Sequence, residues 1–183
     1  MSRILPASQF RSRDTVRLAR SLIGKKLVAT LPDGVRSCLA ITETEAYDGP
    51  EDLACHASKG RTTRTEVMFG PAGRWYVYLV YGMHEMLNLV TGPEGYPAAI
   101  LIRGVEGLSG PGRLTKALGI DRRFNAQPAS PATGLHLEDA TPAPDGEVIA
   151  TPRIGVAYAG PDWSQRPYRF VLKSAKPIRK RPR

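Results

Sequence analysis

Strict alternation of apolar and polar positions runs through most of the chain and predicts strands. Residues 26–30 and 35–47 alternate and are rich in β-branched side chains. Between them, Asp33-Gly34 closes a turn at 31–34, where glycine supplies the positive φ a hairpin needs. Residues 74–80 alternate again. Tyr76, Tyr78 and Val80 share one face there, and Trp75, Val77, Leu79 and Tyr81 share the other. The pattern breaks at 81–84 and resumes over 85–91, predicting a second hairpin with Tyr81, Met83 and His84 at its tip. Residues 98–105 are almost wholly apolar, as in a central strand, and 148–157 and 168–172 read as the last two strands. Helical spacing is confined to two places. One is 10–22, with Asp14 as N-cap, Gly24 as stop, and Arg11, Arg13, Arg17 and Arg20 on a solvated side. The other is a short helix behind the glycine-rich entry of 110–118. Residues 121–145 are rich in Pro, Ala and Gly and read as surface loop, with room for one short strand at 135–138. The elements make a mixed α/β (α+β) protein built on antiparallel strands with a protruding hairpin.

A length of 183 residues with 42% hydrophobic content suffices for one domain over 1–183. The net charge of +9 favours a polyanionic partner, nucleic acid before membrane. Residues 173–183 carry six Lys and Arg and read as a mobile basic tail. No apolar run approaches a membrane span and no leader segment is expected. Two cysteines imply no disulfide framework, so a reducing cytoplasm is expected.

Candidate chemistry concentrates in 40–47. Period two places Ile41, Glu43, Glu45 and Tyr47 on one face and Thr42, Thr44 and Ala46 on the other. Two carboxylates beside a phenol suit the wall of a site, where one acts as base; a wet edge strand would show the same pattern. Alternation does not separate Glu43 from Glu45. The polar loop of 48–64 follows directly. Its Cys55-His56 pair lacks a second pair at ligand spacing, so no metal site is expected, and no motif for a thiol protease accompanies it. His56 instead suits contact with a flat bound group. An aromatic at a hairpin tip, here Tyr81, can wedge into a duplex and fill the gap left by an extruded nucleotide. Asn88, in the returning strand, needs partners or faces a site. Arg103, in a central strand, must be paired or face a phosphate. Arg113 and Lys116 flank a backbone suited to phosphate contact, although the spacing is not that of a P-loop.

Taken in order, Thr44-Glu45-Ala46-Tyr47, Gly49-Pro50-Glu51-Asp52, His56, Met68-Phe69, Tyr76-Val77-Tyr78, Tyr81-Gly82-Met83, Asn88 and Arg103 resemble the alkyladenine (3-methyladenine) DNA glycosylases. The likeness continues through Gly110-Pro111-Gly112-Arg113-Leu114, Arg153-Ile154-Gly155-Val156 and Arg166 to Phe170, nearly the whole chain. It implies a single domain around a curved antiparallel sheet, unlike the helix-hairpin-helix glycosylases. It implies excision of alkylated or deaminated purines from double-stranded DNA without metal, cofactor or covalent lysine intermediate. By position, Glu45 corresponds to the general base and Arg103 to an arginine near the catalytic water. Tyr47, His56 and Tyr78 correspond to the base-pocket walls, and Asn88 to the residue that excludes guanine. Tyr81 corresponds to the intercalating wedge. Arg61, Arg64, Met83, His84, Arg113 and Lys116 become the expected DNA contacts. Two departures stand out: His84 replaces an aromatic phenol of vertebrate members, and the 59–66 loop is less arginine-rich and gains Glu66. A monomer is expected, since DNA would occupy the one functional face. Two other classes fit part of the pattern, a nucleic-acid-binding module without catalysis and a hydrolase of free nucleosides.

Overall fold

The computed structural model describes residues 3–31, 33–144 and 146–174; the basic-tail expectation for 175–183 lies outside them. Along the chain come α1 (Thr15–Ser21), β1 (Lys26–Thr30), β2 (Arg36–Asp48), β3 (Trp75–Val80), β4 (His84–Thr91), β5 (Ala98–Val105) and β6 (Leu108–Ser109), then α2 (Pro111–Ala117), β7 (Leu135–Glu138), β8 (Val148–Thr151), α3 (Gly160–Gln165) and β9 (Arg169–Leu172). The strands join one open antiparallel sheet with the path β3-β4-β5-β2-β1-β7; β6 pairs with β5, and β9 bridges β2 and β8. Among the described residues no helix is long and apolar enough to cross a membrane.

β2 is the hub. Its first part pairs with β1, and its second part pairs with β5 on one edge and β9 on the other. The register slips between Ile41 and Glu43 and again between Glu43 and Thr44. These irregularities turn the strand, so Ile41 and Ala46, of opposite parity, lie in the same core cluster. The expectation that Ile41 shares the face of Glu43 and Glu45 is therefore corrected: a bulge resets the alternation.

The core face carries Leu27, Trp75, Val77, Leu89, Ile100 and Ile102, each at most 2% exposed. Against it pack Ala19, Leu22 and Ile23 from α1 and its C-terminal end, and Leu114 from α2. α1 starts at Thr15, later than the predicted 10; the Asp14 side chain accepts the Arg17 N–H at 2.9 Å, and residues 7–10 form a separate 3-10 turn. The short strand at 135–138 is not surface: Leu135 and Leu137 are fully buried, and β7 pairs with β1 along four residues. β8 stops at Thr151, because Pro152 has no N–H to continue a ladder. The opposite sheet face is covered by the segment after β2, which packs Cys55, Ala57 and Met68 on Tyr76, Val90 and Ala99. Between that cover and the sheet lies the site.

Candidate active site

Glu45 sits beyond the bulge, fully buried. Its Oε1 accepts the Ile154 N–H at 2.9 Å, and its Oε2 accepts the Tyr47 hydroxyl at 2.8 Å. Arg103 Nε lies 3.6 Å from Oε1. Burial pushes the Glu45 carboxyl up from its ordinary range, and Arg103, the Ile154 N–H and the Tyr47 hydroxyl oppose that shift. A carboxylate so placed keeps a free lone pair on each oxygen to take a proton from water. Glu43 does different work. Its Oε1 accepts Arg103 Nε at 2.9 Å and Arg169 Nη1 at 2.6 Å. It lines a separate cavity and is not part of the Glu45 cavity wall.

That wall encloses about 410 Å³ and brings together Glu45, Tyr47, His56, Tyr78, Asn88 and Arg103, with Arg64 and Tyr81 at its rim. The His56 ring packs edge-on to Tyr78 with centroids 4.7 Å apart, and its Nδ1 lies 3.1 Å from the Tyr76 hydroxyl. Burial, Arg64 and Lys59 together lower the His56 pKa to about 4, so the ring is neutral at pH 7. Burial also raises the Tyr47 and Tyr78 hydroxyls, so both stay protonated. Asn88 donates Nδ2 to the carbonyls of Tyr76 and Met86, at 3.1 and 3.3 Å. Its Oδ1 accepts no hydrogen bond among the described residues and remains an acceptor on the cavity wall. The thiol of Cys55 is buried and pushed up to about 12, which removes it as a nucleophile. Among the described residues no three His, Cys, Asp or Glu side chains are grouped to hold a metal.

The hairpin of β3 and β4 projects Tyr81 and Met83 into solvent, 89% and 71% exposed. Tyr81 and Gly82 both take positive φ, 51° and 69°, and Met83 N–H closes the turn on Val80 O. His84 is exposed too, but its imidazole lies against α2, where a Cβ on Gly112 would come within 2.9 Å of Nδ1. Arg113 and Lys116 are exposed on α2. Arg64 stacks its guanidinium 4.8 Å from the Tyr78 ring centroid at the cavity. Arg61 is tied to Glu66 at 2.8 Å and covers Phe69.

Four lining or supporting residues carry no role in the sequence reading. Ile154 holds Glu45 through its backbone. Tyr158 lines the cavity and donates its hydroxyl to Ala54 O at 2.8 Å. Asp52 and Arg153 form a fully buried ion pair behind Tyr47. Only the family likeness, through 49–52 and 153–156, included them, because the partners are 101 residues apart and meet through the fold.

The chain matches the model of a family described as methylpurine-DNA glycosylase over residues 9–109 and 106–176. It is 49% identical over 173 residues to a protein of Anaeromyxobacter dehalogenans (strain 2CP-C), spanning 91% of this chain and 82% of that one. It is 47% identical over 187 residues to a protein of Myxococcus xanthus (strain DK1622), spanning 97% and 94%. It is 46% identical over 198 residues to a protein of Methanocella arvoryzae, spanning 97% and 96%. Each of the three is provisionally named a 3-methyladenine DNA glycosylase.

Proposed function

Because the chain belongs to the methylpurine-DNA glycosylase family, hydrolases of N-glycosyl bonds in DNA, we propose that it extrudes damaged purines from the duplex and hydrolyses their glycosidic bond with Glu45 as base. One observation carries the reading: a buried carboxylate, held by two hydrogen-bond donors with the Arg103 cation beside it, lines a cavity walled by Tyr47, His56 and Tyr78. The substrates are purines whose glycosidic bond is weakened or whose pairing is lost: 3-methyladenine, 7-methylguanine, hypoxanthine and ethenoadenine. The protein acts as a monomer, one catalytic unit over 1–183, and leaves an abasic site.

Extrusion costs a few kcal/mol, least for a damaged base. Stacking returns about 1–3 kcal/mol per aromatic contact, enough to offset it. Tyr81 enters the duplex and fills the vacated place, with Met83 beside it. Arg113, Lys116 and Arg64 meet phosphates; Arg61 contributes less because Glu66 holds it. Asn88 Oδ1 faces the base edge, and the amide group as a whole crowds the exocyclic amine of a normal guanine. Glu45 orients a water toward the anomeric carbon, takes its proton, and stabilises the cationic sugar as the bond breaks. Arg103 orients that water and holds Glu45 ionised, a role supported by its guanidinium 3.6 Å from Glu45 Oε1. A methylated purine already carries positive charge, takes the bonding electron pair and leaves as the neutral base without a proton; neutral hypoxanthine must gain one. The cavity lining contains no lysine among the described residues, which supports hydrolysis without a Schiff base or strand cleavage.

The test is single-turnover base release from duplexes carrying one hypoxanthine or one 7-methylguanine. Wild type releases both. Glu45→Gln loses about 10²–10⁴-fold in rate while binding duplex as before. Glu43→Gln retains release, since that carboxylate lies outside the cavity wall. Equal losses in the two variants, both folded, refute the assignment of the base. Release from free nucleosides as fast as from duplex refutes the DNA-extrusion mechanism.

A further inference from the structure

Both protein hydrogen bonds on the Glu45 carboxylate come from residues that adjoin one side chain outside the cavity wall. Arg153 is fully buried, and its Nη2 and Nη1 reach Asp52 Oδ1 and Oδ2 at 2.9 and 2.5 Å. Nη1 also donates to Ala46 O at 2.8 Å, the carbonyl between Glu45 and Tyr47 in β2. Nη2 donates to Trp163 O at 3.2 Å. The guanidinium faces the Tyr47 ring at 4.9 Å and the Tyr168 ring at 5.2 Å. Asp52 completes the frame by accepting the N–H groups of Asp48 and Ala54 at 3.0 Å each. The next residue after Arg153 is Ile154, whose N–H holds Glu45 Oε1. The phenol under the guanidinium is Tyr47, whose hydroxyl holds Oε2.

We propose that Arg153, clamped by Asp52, is the positioning residue of this site: it fixes the Ile154 N–H on one oxygen of Glu45 and the Tyr47 hydroxyl on the other. Stability alone does not call for a charged pair here. A buried ion pair costs several kcal/mol per ion to desolvate, and a packed apolar pair often serves as well. What an apolar pair lacks is the planar fork, which ties β2 at 45–48, the segment of 49–54 and the stretch from Arg153 to Trp163 of α3 into one geometry. Arg153 lies outside the cavity wall, so its effect passes through Glu45.

The inference rests on Glu45 being the base, and the experiment separates the two. Single-turnover hypoxanthine release is measured against pH for wild type, Glu45→Gln, Asp52→Asn, Arg153→Lys and Tyr47→Phe, with folding followed by near-ultraviolet circular dichroism and duplex binding by titration. Failure of wild type to release base, or unimpaired release by Glu45→Gln, overturns the reading of the base. Given those controls, folded Asp52→Asn and Arg153→Lys bind duplex normally but lose about 10- to 100-fold in rate. Their acid limb moves to higher pH by about one unit, because a carboxylate deprived of its donors takes a proton more readily. Tyr47→Phe, which removes one hydroxyl, shifts the limb the same way by less and carries the comparison should either pair variant fail to fold. A rate that falls only with the folded fraction, or with the acid limb unmoved, overturns the proposal.

Discussion

His56 is half-buried between the tyrosines of β3, and its environment sets a testable pH dependence. Burial, with Arg64 and Lys59 nearby, lowers its pKa from 6.5 to about 4 in the folded chain. The unfolded ring therefore binds a proton first as pH falls. Stability from this group is complete above pH 6.5 and is lost as pH drops toward 4. His56→Phe keeps an aromatic wall and removes the proton site. Its melting temperature is expected to fall less than that of wild type between pH 6.5 and 4, with the shared carboxylates cancelling in the comparison. An identical fall places the acid sensitivity elsewhere. The same site shows where residue-level reading stops. Alternation placed Glu43 and Glu45 on one face but gave them equal standing. Their difference lies in partners: two arginines bind Glu43, whereas a backbone N–H and a phenol hold Glu45. Ile154 acts through a main-chain N–H, which any residue but proline supplies, so no side chain announces it.

At the scale of elements, the turn between β3 and β4 holds a bulky residue in a backbone region that glycine prefers. Tyr81 has φ 51°, and its ring, 89% exposed, gains no packing that would compensate. Tyr81→Gly is expected to raise stability slightly, because relieving about 1–2 kcal/mol of left-handed strain outweighs the roughly 0.5–1 kcal/mol of chain entropy that glycine loses, while slowing base release from duplex. Chemical denaturation and single-turnover rates on the same preparation test the pair of outcomes. A glycine variant that is both less stable and fully active removes the case for a functional wedge under strain. Elements of this kind were legible because alternation is strong: β1 matches its predicted span end to end, β2 is shifted by one residue at each end, and β3 starts one residue later. The shared faces of 74–80 hold for the first part of the strand, with Tyr76 and Tyr78 at the cavity and Trp75 and Val77 in the core, but Leu79 and Tyr81, read with the second pair, also line the cavity. The bulge at 41–44 was not legible, since its cause is pairing with β5 and not local composition. Neither was the burial of 135–138, because a loop-like neighbourhood conceals a strand that β1 recruits.

For the whole molecule, the net charge of +9 does not say which cations stand free to meet DNA. Arg103, Arg153 and Arg169 spend their charge on buried carboxylates, and Arg61 and Arg122 are paired at the surface. Arg113 and Lys116 are exposed and make no ion pair among the described residues, and Arg64 stands at the cavity rim. Three phosphate contacts give a slope of log affinity against log salt of about −3, well short of what the net charge suggests. Arg113→Ala and Lys116→Ala are each expected to reduce that slope by about one, at undamaged and damaged sites alike. Residues 175–183 add five further Lys and Arg. If they serve only general attraction, a chain ending at Ser174 binds undamaged duplex more weakly and with a shallower slope. It should nevertheless release hypoxanthine at the wild-type single-turnover rate once enzyme saturates the DNA, because affinity no longer limits release and Glu45, its donors and the aromatic walls all lie before residue 160. A lower saturated rate in the shortened chain would give the terminal residues a part in the chemistry or in extrusion, beyond the approach to DNA.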